Sequence, residues 1–320
     1  MLEKDPHSLK LIEAASRMGI AWEDHSQDWR MDVLDFSHRG RTARVIDGRI
    51  YPWLTYQQEL LCDQKFATKA LFRDLGIPTP AALIFDHQEK SREIISDFLT
   101  NFDPVVCKPL KGTDGHAVGM NLHVKSEVLA HVSAYDSFYE EWILEEQVGG
   151  DDLRIQVIGG KIMAACVRRP ASVFGNGKDD LRHLIAARNE LIKQQNPYNF
   201  LEIDRTTLDL IEAQQMTLDS VPKEGREVQL KHVSNMSQGG RAVDCTDGLH
   251  RGFQTWIDQI VGATGLRTFA FDALCTDPSG SPFKHTKALE LNAKAQWMHH
   301  TFSDVKTHDI PSMILQDLFT

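Results

Sequence analysis

Residues 105–122, VVCKPLKGTDGHAVGMNL, constrain this chain more than any other stretch. An apolar strand ends at Lys108, Pro109 stops it, and Gly112, Gly115 and Gly119 let the chain double back into a second strand over 118–122. Such a hairpin exposes backbone N–H groups without side-chain interference, and a lysine on its first strand adds a point charge. The pattern suits a loop closing over a polyphosphate. A plain hairpin satisfies it equally, so the remaining chain must choose between the two.

The second constraint lies near the C-terminus. Residues 267–274 form an apolar strand carrying Asp272, and a turn through Asp277-Pro278-Ser279-Gly280 returns as a strand over 287–291 carrying Glu290 and leading to Asn292. Period-2 alternation puts Glu290 and Asn292 on one face, and an antiparallel pairing brings Asp272 beside them. A charge inside an apolar strand is costly without a partner. Two carboxylates and an amide oxygen form a set for a hard cation, Mg²⁺ above all, whose other positions go to phosphate and water. A pair of hydrogen-bonded buried polar residues is the alternative.

Between these stretches, residues 62–75 read as a helix with Lys65 and Lys69 on one face, stopped by Gly76. The strand 141–148 ends in acidic residues, and Glu145, Glu146 and Val148 read as a hinge whose backbone can meet an adenine edge. After the turn 149–152, Asp152 can accept from ribose hydroxyls or lie solvated. A hairpin around Gly159-Gly160 carries Arg154 and Arg168, whose guanidinium forks suit a carboxylate, a phosphate or a local acid. A second polar glycine loop covers 234–241 and includes Asn235, Ser237 and Gly239; Asp204 reads as a helix N-cap.

Composition removes several classes. The 320 residues carry a formal charge of −10, which argues against a general nucleic-acid binder, and 42% hydrophobic and 25% charged content suit a soluble globular protein. No stretch reaches the length of a membrane span, and the N-terminus has no signal-type apolar run. Five cysteines stand far apart without CxxC spacing, which suggests neither a zinc site nor a disulfide framework and favours a reducing cytoplasm. His299-His300 has no acidic or cysteine companion at ligand spacing and reads as an ordinary loop or helix start.

Helix lysine, strand lysine with glycine loop, acidic hinge, arginine hairpin, polar glycine loop, then Asp, Glu and Asn: in this order the features resemble the ATP-grasp superfamily of ligases. The stretches CDQKFATKALFRDLGIPTP, VVCKPLKGTDGHAVGMNL, ILEEQVGGDDLRIQVIGGKIMAACVRRPASVFGNG, VSNMSQGGRAVDCTDGLH and ALELNAKAQWMHH carry the resemblance over about residues 60–300. They are most similar to the ATP-grasp domains of the cyanophycin synthetase and bifunctional glutathione synthetase families. The resemblance implies an α+β ATP-grasp fold: an N-terminal α/β lobe over 1–60 and an ATP-grasp domain over 61–320 with a lid over about 100–148, ATP lying between antiparallel sheets. It implies Lys65 and Lys108 on the phosphates under the 112–119 loop, residues 145–148 at the adenine and Asp152 at the ribose. Asp272, Glu290 and Asn292 would hold two Mg²⁺ ions, with Mn²⁺ as a substitute. Arg154, Arg168 and the 235–240 loop would face a substrate carboxylate.

The implied reaction is amide or peptide bond formation between a carboxylate and an amine, an amino acid or small peptide, through an acylphosphate. The implied partners are small molecules, with no nucleic acid or membrane, and a homodimer accords with the superfamily. A kinase that releases a phosphorylated product and a non-catalytic nucleotide binder are the alternatives. The chain departs from the pattern at Gln64, where aspartate is usual, at Gln238, where threonine is common, and at Lys294-Ala295-Gln296, where Pro-Gly usually follows Asn-Ala.

Overall fold

The computed structural model describes residues 4–86, 91–111, 116–196 and 199–320. It divides into two compact units: Met1–Trp53, Asp152–Asp247 and Ala295–Thr320 form one, and Leu54–Asp151 with Gly248–Lys294 form the other.

In the first unit, helix Pro6–Met18 starts at an Asp5 cap with proline in its first turn and stops at Gly19 in the left-handed region. A meander of strands Ala21–Asp24, Val33–His38 and Arg41–Ile46 follows, antiparallel throughout. Leu11 and Ala15 of the helix pack with Leu34, Phe36, Trp297 and Ile314, the last on helix Ile310–Leu318. Strands Asp151–Ile158 and Lys161–Arg169 form a hairpin, and Arg241–Asp244 pairs with the second of them. Residues 171–230 carry a separate core: strands Ser172–Phe174 and Glu227–Gln229 pair, and helices Leu181–Gln195 and Arg205–Ala213 bury Leu181, Ile185, Ile192 and Ile211 with Val228. Asp204 caps the second helix by accepting from the Thr207 N–H at 2.9 Å. Strand Glu227–Gln229 ends well before the polar glycine loop at 234–241.

In the second unit, four antiparallel strands run in the order Ala82–Asp86, Glu141–Glu146, Val105–Pro109, Gly119–Leu122. Helices Ser91–Asn101 and Lys125–Ala134 help to cover the sheet, and Ile95, Val128 and Val132 share a core with Val105, Cys107, Trp142 and Leu144. The hairpin Phe269–Cys275 with Thr286–Asn292 packs against helix Lys65–Asp74, with Phe72 edge-on to Phe271. Among the described residues, no helix is long and apolar enough to cross a membrane.

The helix expected over 62–75 is two helices, Tyr56–Asp63 and Lys65–Asp74, broken at Gln64, whose φ −96°, ψ 93° is extended. Gln64 ends the first helix, and its carbonyl accepts from the Thr68 N–H at 3.0 Å to begin the second. The break puts Lys65 at a helix N-terminus. The turn expected over 149–152 also shortens, because Asp151 and Asp152 already belong to the hairpin strand.

Gly150 stands where a side chain cannot. Its φ is +130°, and a Cβ there would meet the Cys275 backbone nitrogen at 2.8 Å and its carbonyl carbon at 3.0 Å. Backbone has no rotamer by which to give way. Gly150→Ala is expected to destabilise the protein by about 1–3 kcal/mol, read as a lowered urea midpoint.

Candidate functional site

Three lysines and a carboxylate meet in the second unit. Lys108 and Glu145 lie on adjacent antiparallel strands, where Val106 pairs Glu145 and Lys108 pairs Ile143, so the two side chains are diagonal neighbours on one face. Lys108 Nζ reaches Glu145 Oε2 at 2.8 Å, and Lys69 Nζ from helix Lys65–Asp74 reaches Oε1 at 3.2 Å. Lys69 is fully buried and Glu145 is 3% exposed. Lys69 also donates to Thr79 Oγ1 at 3.4 Å, and Thr79 is anchored on the Ala288 carbonyl.

The charges do not cancel. Burial pushes the Lys69 ammonium below its usual range, although Glu145 opposes the shift. Burial would raise the Glu145 carboxyl, but Lys108 and Lys69 outweigh it and hold it below 4.5. One carboxylate therefore serves two ammonium groups. Lys65 is also depressed, first by burial, while Glu290 raises it and Lys108 lowers it. At the positive end of its helix, Lys65 favours an anion in front of it.

The depressed Glu145 carboxyl has a consequence for pH. Its folded pKa lies below the unfolded value, so its stabilisation is present above about pH 4.5 and is lost as pH falls further. The stability gap between the native chain and Glu145→Gln is expected to narrow as pH drops below 4.5, measured by denaturant unfolding across pH.

Asp272, Glu290 and Asn292 also converge in the second unit. Asp272 pairs directly with Glu290, with a bulge just beyond it, and Asp272 is 2% exposed. The Asn292 Nδ2 donates to Asp272 Oδ2 at 2.6 Å and to Glu290 Oε1 at 3.4 Å. A positively polarised amide thus stands where two carboxylates attract a cation. Turned over, the amide would offer its oxygen.

At the hinge, the Glu146 and Gln147 N–H groups donate to the carbonyls of Ala81 and Pro104. An adenine edge would have to meet the 145–148 segment through other groups. Glu146 accepts from the Ala81 N–H at 3.1 Å and lies 3.6 Å from Lys287 Nζ. Val148 is half-buried. Gly112 and Gly115 lie outside the described residues; Gly119 opens strand Gly119–Leu122.

In the first unit, Asp152 and Arg168 face each other across the hairpin, joined at 2.6 Å, and Ser234 Oγ donates to the other Asp152 oxygen at 2.6 Å. The resemblance implies separate duties for these two residues; the structure pairs them. Arg154 is buried, and its Nη2 reaches the Gln296 carbonyl at 3.5 Å. Asn235 caps a short turn by accepting from the Ser237 N–H and Oγ at 3.1 and 3.0 Å. Gly239, with φ +86°, closes that turn where a Cβ would strike Leu201 at 2.9 Å.

Sequence reasoning missed Lys69 as a buried charge. Its spacing of four from Lys65 put it on the right face, but burial was not legible. It also missed that Cys166, inside strand Lys161–Arg169, lies beside His299 and His300. Burial, together with the positive field of Arg154, holds both imidazoles well below 6.5 and hence neutral.

No protein-family model matches the chain. The bifunctional glutathione synthetase of Pasteurella multocida superposes on 99% of the chain and 44% of its own length with a TM-score of 0.77, at 22% identity. The chain has the ATP-grasp fold. Its sequence is similar to that of cyanophycin synthetase, 31% identical over 273 residues in Synechocystis sp. (82% of this chain, 30% of the relative) and 29% over 303 in Trichormus variabilis (92% and 33%). It is also similar to the glutathione biosynthesis bifunctional protein GshAB of Streptococcus mutans, 24% identical over 285 residues (84% and 37%). The chain thus spans about a third of the length of these curated relatives. Within the ATP-grasp fold, both the lysine–glutamate cluster and the Asp272–Glu290–Asn292 set fall in the unit Leu54–Asp151 with Gly248–Lys294.

Proposed function

We propose that this chain is an ADP-forming carboxylate–amine ligase that makes an amide or peptide bond on an amino acid or small peptide. The observation that carries the reading is the gathering of Lys65, Lys69 and Lys108 around Glu145 in the unit that also holds Asp272, Glu290 and Asn292.

This residue set fits a metal-bound polyphosphate. The lysines are partly desolvated, and the acidic set offers hard oxygen donors, which suit Mg²⁺. Lys65 and Lys108 would hold phosphate oxygens, with Glu145 setting the position of Lys108. The 112–119 loop would cover them, and Glu145, Glu146 and Val148 would border the adenine through backbone, with Asp152 at the ribose. Asp272, Glu290 and Asn292 would hold the metal, two Mg²⁺ ions with Mn²⁺ as a substitute, which neutralises phosphate charge. Arg154, Arg168, Asn235, Ser237 and Gly239 would serve the substrate carboxylate. The N-terminal lobe over 1–60, the lid over about 100–148, a homodimer and a cytoplasmic setting belong to the same reading.

The substrate carboxylate oxygen attacks the terminal phosphorus of ATP in line and ADP leaves, giving an acylphosphate. The amine then attacks the acyl carbon, loses a proton, and phosphate departs. Neither step needs a protein nucleophile; positioning and charge neutralisation supply the catalysis.

The test is ADP and phosphate release over a panel of amino-acid and dipeptide pairs. Sustained, multiple-turnover ADP formation is expected only when carboxylate, amine and Mg²⁺ are all present, and chelation should stop it until Mg²⁺ is restored. A stable phosphorylated product that accumulates over many turnovers without any amine, seen by mass spectrometry and not trapped by hydroxylamine as an acylphosphate is, would replace the ligase reading with a kinase.

A further inference from the structure

We propose that Cys166, His299 and His300 form a binding site for one thiophilic d¹⁰ metal ion, Zn²⁺ or Cu⁺, separate from the acidic set at Asp272. Their candidate ligand atoms all lie within 4.8 Å of one another, and all three residues are buried. Among the described residues, no other group of three Cys, His, Asp or Glu side chains meets that spacing. Cys166 projects from the middle of strand Lys161–Arg169, directly opposite Arg154. The histidines occupy the short turn Met298–Thr301, their ring centroids 4.4 Å apart.

The second observation is that three of the four ring nitrogens lack partners. His299 Nε2 and both nitrogens of His300 are buried with no hydrogen-bond partner among the described residues. Buried polar atoms are nearly always satisfied, and an orphaned set clustered around a thiol calls for a ligand. The turn carrying them is firmly held: the His300 carbonyl accepts from the His308 N–H at 2.9 Å and from Ser303 Oγ at 3.3 Å. The rings are thus presented by fixed backbone.

The donor chemistry selects the ion. One sulfur and two imidazole nitrogens with no carboxylate oxygen suit Zn²⁺ or Cu⁺ and disfavour Mg²⁺ or Ca²⁺. Metal–ligand lengths of about 2.0–2.3 Å bring bound donors to roughly 3.3–3.8 Å apart, so the three side chains need to close by about an ångström. Binding releases the Cys166 thiol proton to solvent, while both imidazoles bind as neutral rings. A fourth position stays open to water or a small ligand. The bound ion would staple the segment Ala295–Thr320 to strand Lys161–Arg169.

The full chain, stripped with a chelator and titrated with Co²⁺, is expected to take up one equivalent and show a thiolate-to-cobalt charge-transfer band. That band should persist in Cys245→Ser and Cys275→Ser and disappear in Cys166→Ser. X-ray absorption of the Zn²⁺-loaded native chain, which needs no variant, should count one sulfur and two imidazole nitrogens. Competition with a Cu⁺ chelator under anaerobic conditions decides between the two ions. No retained metal and no band in the native chain would mean that water alone meets the orphaned nitrogens, and would overturn the proposal. A band undiminished in Cys166→Ser, or a metal shell without sulfur, would do the same. Uptake is read without turnover, so its failure is distinguishable from failure of the ligase reading.

Discussion

Glu145→Ala is expected to destabilise the second unit by about 3–5 kcal/mol, because it strands the fully buried Lys69 ammonium without its carboxylate. Thr79 Oγ1, at 3.4 Å, remains as a hydrogen-bond partner but supplies no charge. Lys108 is only half-buried and can turn towards water, so Lys69 bears the loss. The comparison that isolates the effect is the double variant Lys69→Met with Glu145→Leu. Replacing both charges by apolar side chains removes the uncompensated ion, and the double variant should recover most of the lost stability. Equal destabilisation of the single and double variants in denaturant unfolding would show that the pair contributes through packing alone.

Lys108→Ala and Glu290→Ala should each lower substrate-dependent ADP release by on the order of 10² to 10³ or more, since the proposed function puts each charge at the reacting end of ATP. Both side chains are partly exposed. Their removal costs less folding stability than Glu145→Ala, which separates catalytic loss from unfolding. The two variants should also differ in their response to Mg²⁺. Raising Mg²⁺ should restore part of the activity of Glu290→Ala, where the proposal makes the deleted group a metal ligand, and none of Lys108→Ala. Turnover at the native rate in either variant, measured with a coupled ADP assay, would refute the phosphate and metal assignments.

Much of the architecture is local and therefore legible in the residues. The hairpin bringing Asp272 beside Glu290 follows from two apolar strands joined through the turn Asp277-Pro278-Ser279-Gly280, and the structure pairs the two residues directly. The Asp204 cap and the Gly19 stop are likewise written in single residues. The helix break at Gln64 is different. Nothing in 62–75 forbids a continuous helix, and the kink is set by packing of both helices on strand Thr286–Asn292.

Local residue patterns set the order of elements, the turns that join them and the succession of lysines, arginines and acids along the chain. These follow from backbone periodicity and turn chemistry, which act over a few residues. Which charges are taken out of water, and which groups become neighbours, is set by long-range packing. Lys69 becomes a buried cation because a strand from another part of the chain brings it Glu145. Arg168 meets Asp152 because hairpin register sets them opposite. Cys166 joins His299 and His300 because the turn Met298–Thr301 packs on its strand. Burial and long-range pairing depend on the whole chain closing on itself, and no local pattern of residues encodes them.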